Sequence, residues 1–134
     1  MRKLVFYTYP SCTSCRKTKG WLQAHEIHFE ERHLFRDRPN VRELMELLKL
    51  SKSGVEDIIA KRSKEFKELD VDIESMPLSR ALKLLSDEPK LLKRPILTDG
   101  THLVVGYHHD ELAKIAESVR DSSEKERERK AVSG

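Results

Sequence analysis

Residues 4–17 have the sequence LVFYTYPSCTSCRK, and this stretch decides the fold. The apolar and β-branched composition of residues 3–8 predicts a strand. The two cysteines of the chain, Cys12 and Cys15, follow directly, and residues 13–25 are predicted to form a helix. A Cys-x-x-Cys motif between a strand and a helix is typical of a thiol–disulfide switch.

The start of this helix has the chemistry that a reactive sulfur needs. Unpaired backbone N–H groups and the helix dipole place partial positive charge there, and Arg16 adds a full charge in the first turn. These charges favour the thiolate, so Cys12 is predicted to be the exposed, reactive sulfur. Cys15 lies three residues on, on the same helical face, where it can close a disulfide with Cys12.

Two other interpretations of the cysteine pair stay open at this stage. A structural zinc site would need two more ligands, and the sequence holds no second cysteine pair. Two inert, buried cysteines would also fit, because free cysteine is a common core residue. A stable structural disulfide is not expected, since the apolar run at residues 4–7 is too short for a secretion signal. We therefore expect a cytoplasmic chain whose thiols are kept reduced.

Composition sets the class of protein. The 134 residues suit one domain, or one domain with an insertion. Charged residues and hydrophobic residues each make up 37%, which predicts an adequate core under a heavily charged surface. The net charge is only +3, and this small excess does not by itself indicate nucleic-acid binding. No apolar run approaches membrane-spanning length, so no membrane partner is expected.

The middle of the chain is predicted to be helical. After a second strand over residues 27–34, apolar spacing predicts a helix over residues 40–50. Ser53-Gly54-Val55-Glu56 has the form of a capping box that would open another short helix. Pro77 suits the first position of a further amphipathic helix, whose apolar face is Leu78, Ala81, Leu82 and Leu85. These helices form an insertion at about residues 40–87 between two groups of strands.

The last part of the domain is predicted to be β-β-α. Residues 95–98 and 101–107 have strand composition, and Asp99-Gly100 between them is typical of a two-residue type I′ hairpin. A closing helix is predicted over residues 110–119. The order is that of an α/β, thioredoxin-like mixed sheet with a helical insertion, in one domain over residues 1–120. The mixed-charge residues 121–134 are predicted to be a mobile tail or a solvated extension of the closing helix.

Four separated motifs of the chain resemble one family. The chain is similar to the Spx family of bacterial transcriptional regulators, which belongs to the arsenate-reductase-like branch of the thioredoxin fold. The likeness runs from about Leu4 to about Ala116. Residues 9–19 and 31–36 resemble its MgsR-type general-stress branch more closely. The motifs that carry the likeness to the family are residues 9–17, 61–64, 74–77 and 92–96.

The resemblance implies a function and a set of sites. It implies a regulator that binds RNA polymerase through the C-terminal domain of the α subunit under oxidative or general stress. Cys12 and Cys15 would be its redox switch, and Gly54 would lie in the polymerase-binding surface. Arg94 would respond to the switch state. In this fold a cis X-Pro bond opens the strand beside the disulfide, and Pro95 is available for it.

The resemblance also implies which partners to expect. Promoter DNA would be contacted only within the polymerase complex, and no cofactor is implied. Family members are removed by an ATP-dependent protease, with its adaptor, that reads the C-terminus. Residues 131–134 do not clearly match the family's terminal signal.

The alternative function is an enzyme, either an arsenate reductase or a thiol–disulfide oxidoreductase on the same fold. The reductases that the chain resembles use one catalytic cysteine and three arginines that hold the oxyanion. Arg62 and Arg94 match two of these arginines. The third would come from residues 103–107, which contain none. Two charges hold a multiply charged anion less well than three, so the regulator is favoured over the enzyme.

Overall fold

The first strand, β1 (Val5–Thr8), lies inside a four-stranded sheet in the computed structural model, which describes residues 4–119. It pairs in parallel with β2 (Glu30–His33) and antiparallel with β3 (Ile96–Thr98). The fourth strand, β4 (Leu103–Val105), pairs antiparallel with β3, which gives the order β2-β1-β3-β4. The predicted mixed sheet of a thioredoxin-like α/β fold is confirmed.

Helices cover both faces of this sheet. Their bounds are α1 Thr13–Ala24, α2 Val41–Leu50, α3 Lys64–Glu68, α4 Leu78–Asp87 and α5, whose described part is residues 109–119. Single 3-10 turns at Gly54–Asp57 and Ile73–Ser75 join the helices of the predicted insertion, and a third at Pro89–Leu91 leads from α4 towards β3. Across residues 4–119, no helix is long and apolar enough to cross a membrane.

The strands send alternate side chains to opposite faces, and this divides the interior into two cores. Phe6 and Leu97 point to one face, where they pack with apolar residues of α1 and α5. Tyr7 and Ile96 point to the other face, where they pack with α2, α4 and the 3-10 turns of the insertion. Both cores contain fully buried side chains, so the insertion is an integral layer of the fold.

A half-buried arginine ties the sheet to the insertion. The guanidinium of Arg32, on β2, binds the Glu43 carboxylate and donates to the Tyr7 hydroxyl at 3.1 Å. It also donates to both carboxylate oxygens of Asp37, at 3.0 and 3.1 Å. Glu43 in turn forms a capping box with Asn40 at the start of α2. This group of residues therefore fixes how α2 sits against β1 and β2.

The hairpin between β3 and β4 differs from the prediction. Thr98 pairs with Leu103, so the loop has four residues and not the two of a type I′ turn. Asp99 is buried, and its carboxylate accepts hydrogen bonds from the Thr101 and His102 backbone N–H groups at 2.9 and 2.7 Å. A carboxylate that bonds the chain two and three residues on builds an Asx-type turn, which outweighs the local preference of the Asp-Gly pair.

Two predictions about α4 were also wrong. Pro77 is the N-cap residue and not the first helical residue, since its ψ of 141° is extended. Leu78 is 46% exposed, whereas Ala81, Leu82 and Leu85 are buried as predicted. The predicted domain limit at residue 120 and the mobile tail at residues 121–134 lie outside the described residues.

Candidate redox and docking site

The cysteine motif occupies the loop after β1 and the first turn of α1. Cys12 is the N-cap residue of α1, and its Sγ accepts a hydrogen bond from the Cys15 backbone N–H at 3.3 Å. The Cys12 N–H donates to the Tyr9 carbonyl at 3.0 Å, which fixes the loop. Cys12 is half-buried rather than fully exposed, and both cysteines are free thiols.

The two sulfurs have different surroundings. Cys15 is 1% exposed, and burial, followed by a side-chain hydrogen bond with Cys12, raises its pKa to about 11. The Tyr9 backbone and the Thr8 side chain oppose this rise in pKa through hydrogen bonds to the same sulfur. Cys15 is therefore a protonated thiol at neutral pH. The geometry suits attack by Cys12 on an oxidant and later resolution by Cys15.

The Arg94–Pro95 segment lies beside this motif. The peptide bond between the two residues is cis. Tyr7 lies opposite Ile96 in the antiparallel pair, so Pro95 lies next to the end of β1 that leads into the cysteine loop. The Arg94 guanidinium lies over the ring of Tyr9, 5.9 Å from its centroid. The structure thus brings Cys12, Cys15, Arg94 and Pro95 into one region.

An aromatic platform under Arg94 was not predicted. It consists of Tyr9 and Phe35, whose ring centroids are 4.5 Å apart, with His33 at 5.7 Å from Tyr9. The Arg94 guanidinium lies 5.6 Å from the Phe35 ring centroid, and such cation–π contacts orient an arginine for which residues 4–119 provide no ion pair. The sequence did contain a signal that could have predicted this platform. Tyr9 and Phe35 each follow one of two parallel strands, so the predicted β-α-β unit places them at the same edge.

Arg62 is not joined to this group. It is exposed in the turn before α3. Within residues 4–119, no hydrogen bond, ion pair or ring contact links its side chain to Cys12 or Arg94. The role of Arg62 in an oxyanion site therefore stays a prediction. The same described range holds no cluster of three or more His, Cys, Asp or Glu side chains that could bind a metal ion.

Gly54 begins a 3-10 turn, and its surroundings are open. Its φ is +70°, a conformation that glycine adopts readily and other residues do not. A Cβ atom added at this position would meet nothing within 4 Å. Its N–H donates to Ser51 Oγ at 3.1 Å. The backbone here is thus accessible to a partner at close range.

The capping box predicted at Ser53 and Glu56 is wrong, because the Ser53 side chain makes no capping hydrogen bond. Instead, Asp57 Oδ2 accepts from the backbone N–H groups of Lys52 and Ser53, both at 2.9 Å. A carboxylate binds two N–H donors more strongly than a hydroxyl binds one. The turn that carries Gly54 is therefore held by Asp57 and Ser51.

We expect mild diamide to join Cys12 and Cys15 within one molecule, because both sulfurs lie at the start of the same helix. Diamide takes up the two thiol hydrogens, so intact-mass spectrometry should show a loss of two hydrogens that dithiothreitol reverses. Before oxidation, iodoacetamide at pH 7 should alkylate Cys12 about ten-fold faster than the buried Cys15. Cys15→Ser is the control and should show no internal loss. Two cysteines that stay alkylatable after diamide would contradict the switch.

Comparisons with known proteins place the chain in a family. Residues 7–115 match the ArsC family. The chain is 53% identical over 115 residues to the regulatory protein MgsR of Bacillus subtilis strain 168, covering 86% of this chain and 91% of MgsR. It is 44% identical over 111 residues to the global transcriptional regulator Spx of the same strain, covering 83% and 85%.

Solved structures agree on the fold. An ArsC-family-related protein from Bacteroides fragilis superposes with a TM-score of 0.76 at 31% identity, covering 84% of this chain and 96% of that one. An arsenate reductase from Vibrio cholerae is 22% identical, and a likeness at this level shows the fold alone. The chain therefore belongs to the ArsC family and, within it, to the group of Spx- and MgsR-type regulators.

Proposed function

We propose that this protein regulates transcription by binding RNA polymerase through the C-terminal domain of the α subunit. In this proposal a disulfide between Cys12 and Cys15, formed under oxidative or general stress, switches the protein. One observation gives this proposal its main support. In a chain of the Spx and MgsR group, Cys12 accepts the Cys15 N–H at the start of α1, with both thiols free.

The surroundings of Gly54 support a docking role. Its left-handed backbone and the empty space over its Cα let a partner approach the main chain closely. Protein interfaces gain specificity from such close contact, since a long side chain here would hold the partner away. Gly54 and the rest of the proposed docking surface belong to the insertion, which packs on the Tyr7 face of the sheet.

A backbone connection between the two regions supports the switch. Lys93 N–H donates to the Ile58 carbonyl at 2.8 Å, and Ala60 N–H donates to the Leu91 carbonyl at 2.8 Å. Residues 54–58 carry the docking turn, and residues 91–93 lead directly into Arg94 and the cis peptide bond. A change at the cysteine loop that moves Arg94 would therefore act on the docking turn through two short hydrogen bonds.

The enzyme alternative has less support. Arg94 lies beside the cysteine loop, but in the described part of the chain no contact joins Arg62 to that loop, and β4 contributes no arginine. The resident Cys15 would also compete with an external thiol for an oxidised Cys12. The curated relatives are named as regulators.

The remaining partners follow from the same proposal. The net charge of +3 supports weak DNA binding in isolation, so we infer contact with promoter DNA only within the polymerase complex. Residence in the cytoplasm and removal by an ATP-dependent protease with its adaptor are part of the proposal, by analogy with the family.

A binding titration tests the function. We expect the fluorescently labelled α C-terminal domain of Bacillus subtilis polymerase to bind this protein, measured by fluorescence anisotropy. Affinity, or the yield of productive promoter complexes, should be higher after diamide than in dithiothreitol. Cys12→Ser is the control, and its binding should not depend on the redox state. If neither redox form binds the domain, the proposal is wrong.

A further inference from the structure

His33, the last residue of β2, holds the loop that follows it. Its Nδ1 accepts hydrogen bonds from the backbone N–H groups of Phe35 and Arg36, at 3.2 and 3.1 Å. An imidazole nitrogen accepts a hydrogen bond only through its lone pair, so Nδ1 carries no proton and the ring proton lies on Nε2. The observed arrangement therefore requires the neutral ring.

The loop that His33 holds carries one ring of the aromatic platform under Arg94. Phe35 lies in this loop, and its ring centroid is 4.5 Å from that of Tyr9 and 6.0 Å from that of His33. The Arg94 guanidinium lies 5.9 and 5.6 Å from the Tyr9 and Phe35 centroids, distances at which cation–π attraction acts. His33 therefore fixes the backbone of Phe35, and Phe35 helps to fix Arg94.

The surroundings of His33 do not favour a charged ring. The titratable or charged side chains on the segments that adjoin it are Tyr9, Cys12, Arg16, Arg36 and Arg94. The carboxylates of Glu31 and Asp37, nearest to it in the chain, are already paired with lysine and arginine. Within residues 4–119, no carboxylate contacts the His33 ring. An imidazolium here would lose two backbone partners and add a second cation to the rings that hold Arg94.

We propose that His33 is a positioning residue for Arg94 and that a proton on its ring releases the arginine. Protonation turns Nδ1 from an acceptor into a donor that faces two other donors. The loop then opens and Phe35 moves from beneath the guanidinium. Because Arg94 belongs to the proposed switch, the switch responds to acid as well as to oxidation, and this last step rests on the proposed function.

Nuclear magnetic resonance of the reduced, ¹⁵N-labelled full chain tests the placement of Arg94. Imidazoles as a class change charge between about pH 5 and pH 8, so the spectra cover that range. At its upper end, the ring currents of Tyr9 and Phe35 should displace the Arg94 Nε–Hε resonance. As the pH falls, this resonance should move to the position of an exposed arginine, together with the Phe35 and Arg36 amide resonances. Resonances that stay in place, or that move with different midpoints, would overturn the proposal.

The decisive variant is His33→Asn. Its side-chain carbonyl can accept the same two N–H groups, as asparagine does in an Asx turn, but it takes up no proton. The Arg94 resonance should therefore stay displaced at every pH in His33→Asn, whereas His33→Ala should release it at every pH. A pH response in His33→Asn equal to that of the parent protein would show that another group is responsible, and this comparison decides the result even if His33→Ala fails to fold.

The matched control is His28→Asn. His28 is exposed in the loop before β2, and within residues 4–119 its ring makes no hydrogen bond, ion pair or ring contact. The same substitution there should leave the pH response of the Arg94 resonance unchanged. Loss of the response in His28→Asn would overturn the assignment to His33.

The anisotropy titration separates this proposal from the proposed function. In dithiothreitol, the affinity of the parent protein for the α C-terminal domain should change by about five-fold or more between about pH 7.5 and pH 6, and that of His33→Asn by less. Titration of the α domain itself affects both proteins equally, so their difference is the measure. An equal pH dependence would overturn the acid input to the switch. If neither protein binds at any pH, the proposed function fails, and the spectra alone decide whether His33 positions Arg94.

Discussion

Replacing Gly54 by arginine is expected to abolish binding to the polymerase α C-terminal domain, with a loss in affinity of about 100-fold or more. The space over Gly54 is open, so a long charged side chain would occupy the volume that the partner needs. An unpaired charge buried in an interface adds a further penalty of several kcal/mol. Anisotropy titration of the oxidised protein measures the effect.

The fold should survive this change, at a cost. The φ of +70° at Gly54 means that any side chain strains the backbone, by about 1–2 kcal/mol. We therefore expect the melting temperature to fall by about 3–6 °C, more than a glycine at an ordinary helix start would require. Gly54→Ala is the matched control, because it carries the same strain without the length or charge. Equal binding by the arginine and alanine variants would contradict a docking role for Gly54.

Replacing Arg32 by methionine is expected to lower the free energy of unfolding by about 2–3 kcal/mol at pH 7. The Arg32 side chain is 14% exposed, and its loss leaves the partly buried Glu43 carboxylate and the Tyr7 hydroxyl without their main partner. Urea denaturation measures the change. Lys19→Met is the matched control. Lys19, on α1, pairs with Glu31, which lies on the same strand as Arg32, but both of these side chains are about 40% exposed. It should cost less than about 0.5 kcal/mol.

The pH dependence of this difference follows from two titrating groups. Although burial raises the pKa of Glu43, hydrogen bonds from Arg32 and Asn40 lower it by more, so its net pKa lies below 4.5. The stability that Glu43 contributes is therefore present above pH 4.5 and is lost as the pH falls through its lowered pKa. The difference in the free energy of unfolding between the parent protein and Arg32→Met should therefore shrink as the pH is lowered from 4.5. A difference in the free energy of unfolding that stays constant as the pH falls would show that the ion pair of Arg32 and Glu43 is not its source.

The change in stability at alkaline pH depends on Tyr7. Burial raises its pKa from 10.0 to about 12, although the Arg32 charge opposes this. The stability that the neutral phenol contributes is complete below pH 10 and is lost as the pH rises toward 12.

Most of the fold was predictable from the sequence because its elements have strong local patterns. The apolar run before the cysteine motif, the periodicity of residues 41–50 and the strand composition around Asp99 each predicted the right type of element. Outside α4, the errors occurred where a carboxylate determined the local geometry. Asp57 displaced the predicted Ser53 cap, and Asp99 built a four-residue loop in place of a tight turn.

The candidate site was predictable only in part. Cys12, Cys15 and Pro95 could be placed together, since a motif and a topology defined their positions. The salt bridge between the Lys61 ammonium and the Glu74 carboxylate could not be predicted, because the two residues lie thirteen positions apart in a chain rich in charges. The exposure of Leu78 depends on the absence of a covering element, which helical periodicity does not describe.

The division of the interior into two cores has an evolutionary consequence. The thiol helix α1 and α5 pack on one face of the sheet, and the insertion that carries Gly54 packs on the other. Within residues 4–119, the buried side chains form two separate clusters on opposite faces of the strands, so we expect substitutions in the insertion to need few compensating substitutions in α1. Descendants of one ancestral gene can therefore diverge in the partner that they recognise while they inherit the same thiol chemistry, or lose that chemistry and keep the partner.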